Sequence, residues 1–144
     1  MKKLVSLIAA AAVLAVPATA SAKTIRQSGG IVGDKPTKVT LQVKTQGKDP
    51  RKVANFKAKN VRTRCAGKPA RIDFTVLGAV KVNASNGFKV RLSDGEGGIL
   101  RISGKVKNNG KRVVGNLKTS AFESSNGQTC KTPKQKFKTS ADKK

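Results

Sequence analysis

The stretch that decides the fold is residues 100–119, LRISGKVKNNGKRVVGNLKT. Apolar or small residues alternate with polar ones in both halves, which is the period of two that a half-buried strand shows. Asn108-Asn109-Gly110 separates the halves, and Asn and Gly tolerate the positive φ angles that tight hairpin turns need. The stretch therefore predicts an antiparallel β-hairpin.

The same alternation predicts further strands on the amino-terminal side of this hairpin. Asn86-Gly87 predicts a second hairpin, which would join residues 80–82 to a strand that begins at Phe88. A last short strand is expected around Phe137, after the second cysteine. The alternating segments are residues 39–44, 72–76 and 88–92.

The segment 52–65 breaks the alternation. Phe56 and Ala58 fall on one parity, whereas Val61, two residues before Thr63, begins a run on the other parity that ends at Cys65. A strand with such a change either contains a β-bulge or is buried on both faces. Both alternatives are compatible with the residues.

Together these patterns predict an all-β fold of about eight antiparallel strands, a β-sandwich or a barrel, with the sandwich favoured. Turn signals recur about every 8 to 12 residues, as in such folds, and no eleven-residue stretch beyond residue 22 shows a helical stripe. Residues 37–142 are expected to form a single domain. Residues 23–36, rich in Gly, Ser and charge, are expected to be a flexible amino-terminal lead.

The amino terminus predicts export. Lys2 and Lys3 precede the apolar run 4–16, and Ala20-Ser21-Ala22 supplies the small residues of a cleavage site, so residues 1–22 have the form of a secretory signal peptide. No later stretch reaches the roughly 20 apolar residues of a membrane span. We therefore expect a secreted or extracytoplasmic protein, a monomer by default, with no membrane span.

Export decides how the two cysteines are interpreted. Oxidising compartments favour disulfides, so Cys65 and Cys130 are expected to form one bridge, the alternatives being two buried free thiols or a catalytic or metal role. A loop of about 65 residues closed by one disulfide is worth roughly 4 kcal/mol in the chain-entropy model. The chain has no His and its one Met is the initiator, so no metal site and no cofactor are expected.

In several of its motifs the chain resembles small secreted all-β proteins of unknown function from actinobacteria. The resemblance covers about 39–137, and it implies the fold and the disulfide but no activity. Phe137 stands where those proteins tend to carry a Trp, and this chain is richer in Lys. The motifs are Arg62-Thr63-Arg64-Cys65, Asn86-Gly87-Phe88, the Gly-rich hairpin from Ile102-Ser103-Gly104 to Gly115-Asn116-Leu117, and the second cysteine.

The composition argues against catalysis. Without His the usual general base is missing, and Ser-His or Cys-His nucleophiles are excluded. Asp94 and Glu96 are the one close pair of carboxylates, and a solvated hairpin loop explains them better than a hydrolase site does. We expect a protein that is not an enzyme.

Charge is the remaining functional signal. The 31 basic and 7 acidic residues, less Lys2 and Lys3 of the leader, leave a net charge of +22. Such a field attracts polyanions. The chain has no Trp or Tyr to stack on sugars or bases, so we expect electrostatic binding to anionic polymers of the envelope or matrix without specific nucleic-acid readout. The alternative is that the basic residues form ordinary solvated surface, as in a structural or protein-interaction module, inhibitor or adhesin-like, whose basicity serves solubility only.

The candidate contacts for a polyanion lie in two segments. They are Lys131, Lys134, Lys136 and Lys138 near the last strand, and Lys57, Lys59, Arg62 and Arg64 in the segment 52–65.

Overall fold

The computed structural model describes residues 21–143, and these form β-strands throughout. Residues 1–20 of the leader expected over 1–22 lie outside the described residues. No helix within the described range is long and apolar enough to cross a membrane. The strands are β1 Ala22–Ile31, β2 Asp34–Gln46, β3 Asp49–Cys65, β4 Lys68–Lys81, β5 Gly87–Ser93, β6 Ile99–Lys107, β7 Arg112–Thr119, β8 Phe122–Glu123, β9 Thr129–Lys131 and β10 Gln135–Ala141.

All ten strands belong to one antiparallel sheet that is not closed into a barrel. The order is β5-β6-β7-β10-β1-β2-β3-β9-β8, and β4 pairs with β3 beside this path. The all-β antiparallel prediction is confirmed, whereas the barrel alternative is wrong. The structure has ten strands where about eight were expected.

The sheet curves strongly around one apolar core. The rings of Phe56 on β3 and Phe137 on β10 meet edge to face with centroids 5.4 Å apart, although β1 and β2 separate their strands in the sheet. Both rings point inward and are almost fully buried. The outward side chains of β3 and β10 therefore diverge, which matters for the charged surface.

The parity break in β3 is a pair of bulges. The register of β3 against β4 shifts between Ala54 and Phe56 and again between Ala58 and Val61. Asn55 and Asn60, the residues at these two shifts, have φ angles of 51° and 57°, which Asn accepts better than most residues. Because the second bulge adds one residue to β3 only, Phe56, Ala58 and Val61 all face the core despite their opposite parities.

The hairpin predicted from residues 100–119 is confirmed. The β6–β7 ladder runs from the pair Leu100 and Thr119 to the pair Lys107 and Arg112. A short 3-10 turn, Asn108–Gly110, joins the strands with positive φ at all three residues. Local turn chemistry and period-two alternation agree here, so the sequence pattern is sufficient.

Two other expectations are wrong. Asn86-Gly87 does close a turn, in which Asn83 N donates to Gly87 O at 2.9 Å, but β4 pairs with β3 and β5 pairs with β6, so the turn connects two different edges. The flexible lead expected over 23–36 is instead mostly strand. β1 pairs with both β2 and β10 because its backbone fills the gap between them, despite its low apolar content.

The disulfide prediction is confirmed. Cys65, the last residue of β3, lies directly opposite Cys130 of β9, with Cα atoms 4.0 Å apart and a sulfur–sulfur bond between them. β9 has three residues and pairs with the end of β3 over only two positions. The bridge therefore holds the short strand β9 on the sheet.

Candidate polyanion-binding face

The outward positions of four neighbouring strands, β5, β6, β7 and β10, carry an unusual density of cations. Most inward positions along these strands are apolar, small or Thr, and most outward positions are polar or basic, with Val114 on β7 as an apolar outward exception. We call this surface the basic face. Its nine basic residues, all exposed, are Lys89, Arg91, Arg101, Lys105, Lys107, Arg112, Lys118, Lys136 and Lys138.

Antiparallel register aligns these cations in rows across the strands. Arg101 on β6 lies directly opposite Arg91 on β5 and Lys118 on β7. Lys107 lies opposite Arg112 in the same way. Directly opposite residues on one face have Cβ atoms only about 4.5 to 5.5 Å apart, so these like charges repel each other.

No carboxylate lies in the four strands that carry the basic face. Within residues 21–143 the ion pairs are Arg51 with Asp49, and Arg62 and Arg71 with Asp34, all outside this surface. The cations of the basic face are therefore unpaired within the described chain. Their field extends into solvent, where it attracts anions.

Two glycines explain how the interior accommodates its aromatic rings beneath this surface. Gly104 and Gly115 lie opposite each other on β6 and β7. A Cβ atom built on Gly104 would come within 2.9 Å of the Phe88 ring, and one on Gly115 would come within 2.5 Å of the Phe137 ring. The absence of side chains therefore lets both rings pack directly on the sheet.

The basic segment predicted around the last strand is divided by the structure. Lys136 and Lys138 project from β10 on the basic face, and Lys134 immediately precedes the strand. Lys131, by contrast, pairs in register with Arg64 on β9 and β3. Two of the four residues therefore lie on the four-stranded surface, and Lys131 belongs to the other basic segment.

Lys57 and Lys59 are exposed on β3, and register connects Lys59 to the basic face. Lys59 lies opposite Lys38 on β2, which lies opposite Gly30 on β1, and Gly30 lies opposite Lys138 on β10. This row of positions follows the curved sheet. Because the two ends diverge outward, Lys59 and Lys138 do not form one flat contact surface.

Arg62 belongs to a separate group, which we call the Asp34 cluster: Asp34, Thr37, Asn60, Arg62 and Arg71. Asp34 is 6 % exposed, and both its oxygens accept hydrogen bonds from the Arg71 guanidinium at 3.0 and 3.1 Å. Arg62 lies 3.8 Å from the same carboxylate. Thr37 Oγ1 donates to Asp34 Oδ2 at 2.7 Å, and Arg71 also donates to Asn60 O at the bulge.

The Asp34 cluster has a clear electrostatic consequence. Hydrogen bonds from Arg71, and then from Thr37, lower the pKa of Asp34 below its ordinary value against the opposing effect of burial. The ionised carboxylate therefore holds the start of β2, the bulge in β3 and β4 together. Arg62, predicted as a polyanion contact, shares this carboxylate and is less free than Arg64.

Asp94 closes the β5–β6 loop. Its Oδ1 accepts hydrogen bonds from the amides of Glu96 and Gly98 at 2.8 and 2.9 Å. Asp94 N in turn donates to Gly98 O. These contacts give the carboxylate a role in loop geometry, and Glu96 remains on the exposed tip.

Sequence reasoning missed seven residues of the basic face. The signal was present, because the hairpin turn at Asn108–Gly110 fixes which residues of β6 and β7 are opposite each other. Counting outward from this turn would have aligned the cations of both strands in advance. The missed residues are Lys89, Arg91, Arg101, Lys105, Lys107, Arg112 and Lys118.

Comparisons of the chain with protein families, with curated proteins and with solved structures found no match. The resemblance to secreted actinobacterial proteins therefore stays a prediction.

Proposed function

We propose that this protein is a non-catalytic binding module that holds anionic polymers against its basic face by electrostatic attraction. One observation carries the proposal: nine exposed cations lie on four adjacent strands that contain no carboxylate. The sequence spreads basic residues over nine of the ten strands, and register gathers about a third of them onto one surface. A gathered field binds polymers better than a diffuse one does.

Counterion release supplies the affinity in this proposal. Each polymer phosphate that a Lys or Arg neutralises frees condensed cations, and log Kobs then falls linearly with log salt concentration. The five Phe residues offer no stacking platform on the basic face, since Phe88 and Phe137 are buried beneath it. The expected binding is therefore tolerant of polymer sequence.

The disulfide is consistent with an extracytoplasmic protein, since such bridges persist in oxidising compartments. We propose that a leader over 1–22 exports the chain, and that the polymers it meets are components of the envelope or the surrounding matrix. Cell envelopes and matrices contain long phosphate-, sulfate- and carboxylate-bearing polymers. A basic β-domain suits contact with any of them.

A protein-interaction module is the second candidate, and the exposed apolar residues are the relevant observation. Leu77 is 80 % exposed and borders a groove beside Asn55, whereas Leu92 is 42 % exposed and borders a cleft beside Phe74. These two side chains lie in separate depressions. The apolar surface is therefore less concentrated than the charge, and we favour the polymer-binding proposal.

A pair of matched variants of the chain that begins at Lys23 tests the proposal. The double variant Lys136→Glu/Lys138→Glu reverses charge on the basic face, and Lys57→Glu/Lys59→Glu makes the same change in net charge on β3. Affinity for heparin and for inorganic polyphosphate is measured by titration at several salt concentrations. We expect the first variant to bind about tenfold more weakly at about 150 mM salt, and the second to stay within about threefold of the parent.

Two results would overturn the proposal. If the parent chain is not retained on either polymer at about 150 mM salt, the protein-interaction module becomes the better explanation. If both variants lose the same affinity, diffuse charge rather than the basic face does the binding. Circular dichroism of each variant establishes that the fold is retained.

A further inference from the structure

An open groove of about 660 Å³ crosses the basic face. One wall is the loop that follows β4, and the remainder is formed by β5, β6, β7 and the start of β10. Small-molecule sites have volumes of roughly 300 to 1,000 Å³, so the groove has room for a few repeat units of a single polymer chain. Its polar lining consists of Lys81, Lys89, Lys105 and Lys136, with Asn83, Ser85, Ser103 and Asn116.

The register of the strands gives the groove a direction. Lys89 lies opposite Ser103, Ser103 opposite Asn116, and Asn116 opposite Lys136. This row spans three strand spacings, about 14 Å from β5 to β10. Two lysines therefore stand at the ends, and short neutral side chains lie between them, which leaves space for a chain that runs across the strands.

The donors of the groove are free to receive a ligand. Within residues 21–143, the side chains of Lys89, Lys136, Ser103 and Asn116 form no hydrogen bonds or ion pairs with other groups. No Asp or Glu lines the groove. The groove thus has positive charge and neutral donors with nothing to neutralise them.

Asn83 makes the loop wall a fixed structure. Its Oδ1 accepts hydrogen bonds from Gly87 N at 2.8 Å, from Ser85 Oγ at 2.9 Å and from Ser85 N at 3.1 Å. With the carbonyl oxygen committed to the loop, the amide Nδ2 is the group left to donate to a ligand. Lys81, the last residue of β4, stands at the same wall.

We propose that this groove binds a single chain of phosphodiester groups that runs across the strands and places phosphates near Lys89 and Lys136. The inference rests on the proposed function and names its ligand class. Phosphate oxygens are contacted in proteins by Lys together with Ser and Asn side chains, which is the set found here. The groove contains no Arg, so its cations are lysines, which bind phosphate as point charges.

A single chain fits the groove better than a double helix, because the space holds only a few repeat units and the loop after β4 forms one wall. A polymer without aromatic bases also fits, since the Phe88 ring at the groove is 4 % exposed and offers no stacking surface. Poly(glycerol phosphate) is the corresponding probe. Polyglutamate of similar length is the carboxylate control, and duplex DNA is the double-stranded control.

The experiment compares two double variants that carry the same net charge and lie on the same face. Lys89→Glu/Lys136→Glu changes the groove, and Lys107→Glu/Lys118→Glu changes cations outside it. For poly(glycerol phosphate) we expect the groove variant to bind about tenfold more weakly than the control variant. The slope of its plot of log Kobs against log salt concentration should be smaller in magnitude by about 1.4, because two phosphate contacts to a single chain contribute about 0.7 each.

The outcomes separate this inference from the proposed function. Equal losses in the two variants, with the parent still bound, would overturn the groove and leave the basic face in place. A parent that binds polyglutamate or duplex DNA as tightly as poly(glycerol phosphate) would overturn the ligand class. A parent that binds none of the three polymers would overturn both proposals.

Discussion

The basic face and the Asp34 cluster use the same residue types in opposite ways. In the Asp34 cluster a buried carboxylate lies 3.0 Å from Arg71 and 3.8 Å from Arg62. On the basic face, Arg101 lies between Arg91 and Lys118 with no acidic partner in its strands. The first arrangement neutralises its cations inside the molecule, and the second leaves them for something outside it.

The stability of the fold explains the cations of the Asp34 cluster but not those of the basic face. Arg71 connects three strands through Asp34 and the Asn60 carbonyl, so its position follows from folding alone. Like charges directly opposite on a sheet destabilise it, by up to about 1 kcal/mol for a pair. Folding therefore gives no reason for the rows of the basic face, whereas a bound polyanion does.

The largest expected effect concerns the disulfide, which lies away from the basic face. The double variant Cys65→Ser/Cys130→Ser should lose about 4 kcal/mol of unfolding free energy, because the bridge closes a loop of about 65 residues in the unfolded chain. Urea unfolding followed by circular dichroism measures the loss. A loss below about 1 kcal/mol would contradict this estimate, and any remaining folded protein should keep its affinity for polyphosphate.

The Asp34 cluster supplies the second effect. Asp34→Asn removes the charge that both arginines share and should cost about 2 kcal/mol, the usual worth of hydrogen bonds to a charged group. Asp49→Asn is the matched control, since Asp49 is exposed and lies 4.0 Å from Arg51. Exposed pairs contribute about 0 to 1 kcal/mol. Equal destabilisation of the two variants in urea unfolding would refute the structural role of the cluster.

The stability difference between the parent and Asp34→Asn should depend on pH. Arg71 and Thr37 lower the pKa of Asp34 in the folded protein, so its stabilising effect is fully present above the unfolded pKa of about 3.9. It is lost as pH falls through the lower folded pKa. The difference in unfolding free energy between the parent and Asp34→Asn should therefore shrink between pH 7 and pH 2. A difference that does not change with pH would show that the ionised carboxylate is not responsible.

Much of this architecture could be predicted from local patterns. The alternation in residues 100–119 predicts β6, β7 and their turn, because burial of one face and turn chemistry agree there. The parity change between Ala58 and Val61 predicts an irregularity in β3, which proves to be a bulge. The pair Cys65 and Cys130 follows from the export that the sequence predicts and from the absence of other cysteines in the sequence.

Pairing between distant strands was harder to predict. Asn86-Gly87 has hairpin chemistry, yet it joins β4, which pairs with β3 over eleven residue pairs, to β5, which pairs with β6. β1 lacks clear alternation and is a strand because β2 and β10 flank it. The basic face depends on three strand registers at once, so no single segment of the sequence displays it.

The smallest expected effect is also the sharpest contrast between folding and binding. Arg101→Glu places an anion between Arg91 and Lys118 and converts two repulsive cross-strand pairs into attractive ones. We expect the variant to gain about 0.5 to 1 kcal/mol in unfolding free energy at low salt. We also expect it to bind polyphosphate more weakly than the parent, because a negative charge now interrupts the row. Added salt should reduce the gain in stability, since the pairs are exposed.

Arg101→Gln separates the two contributions, because it removes the repulsion without adding attraction and should fall between the parent and Arg101→Glu in both measurements. If a substitution on this row raises stability while it lowers affinity, the cations are retained for binding at the expense of folding. If Arg101→Glu instead destabilises the fold, Arg101 contributes packing through its aliphatic stem. The rows would then be ordinary structural surface, and the contrast with the Asp34 cluster would no longer support a binding role.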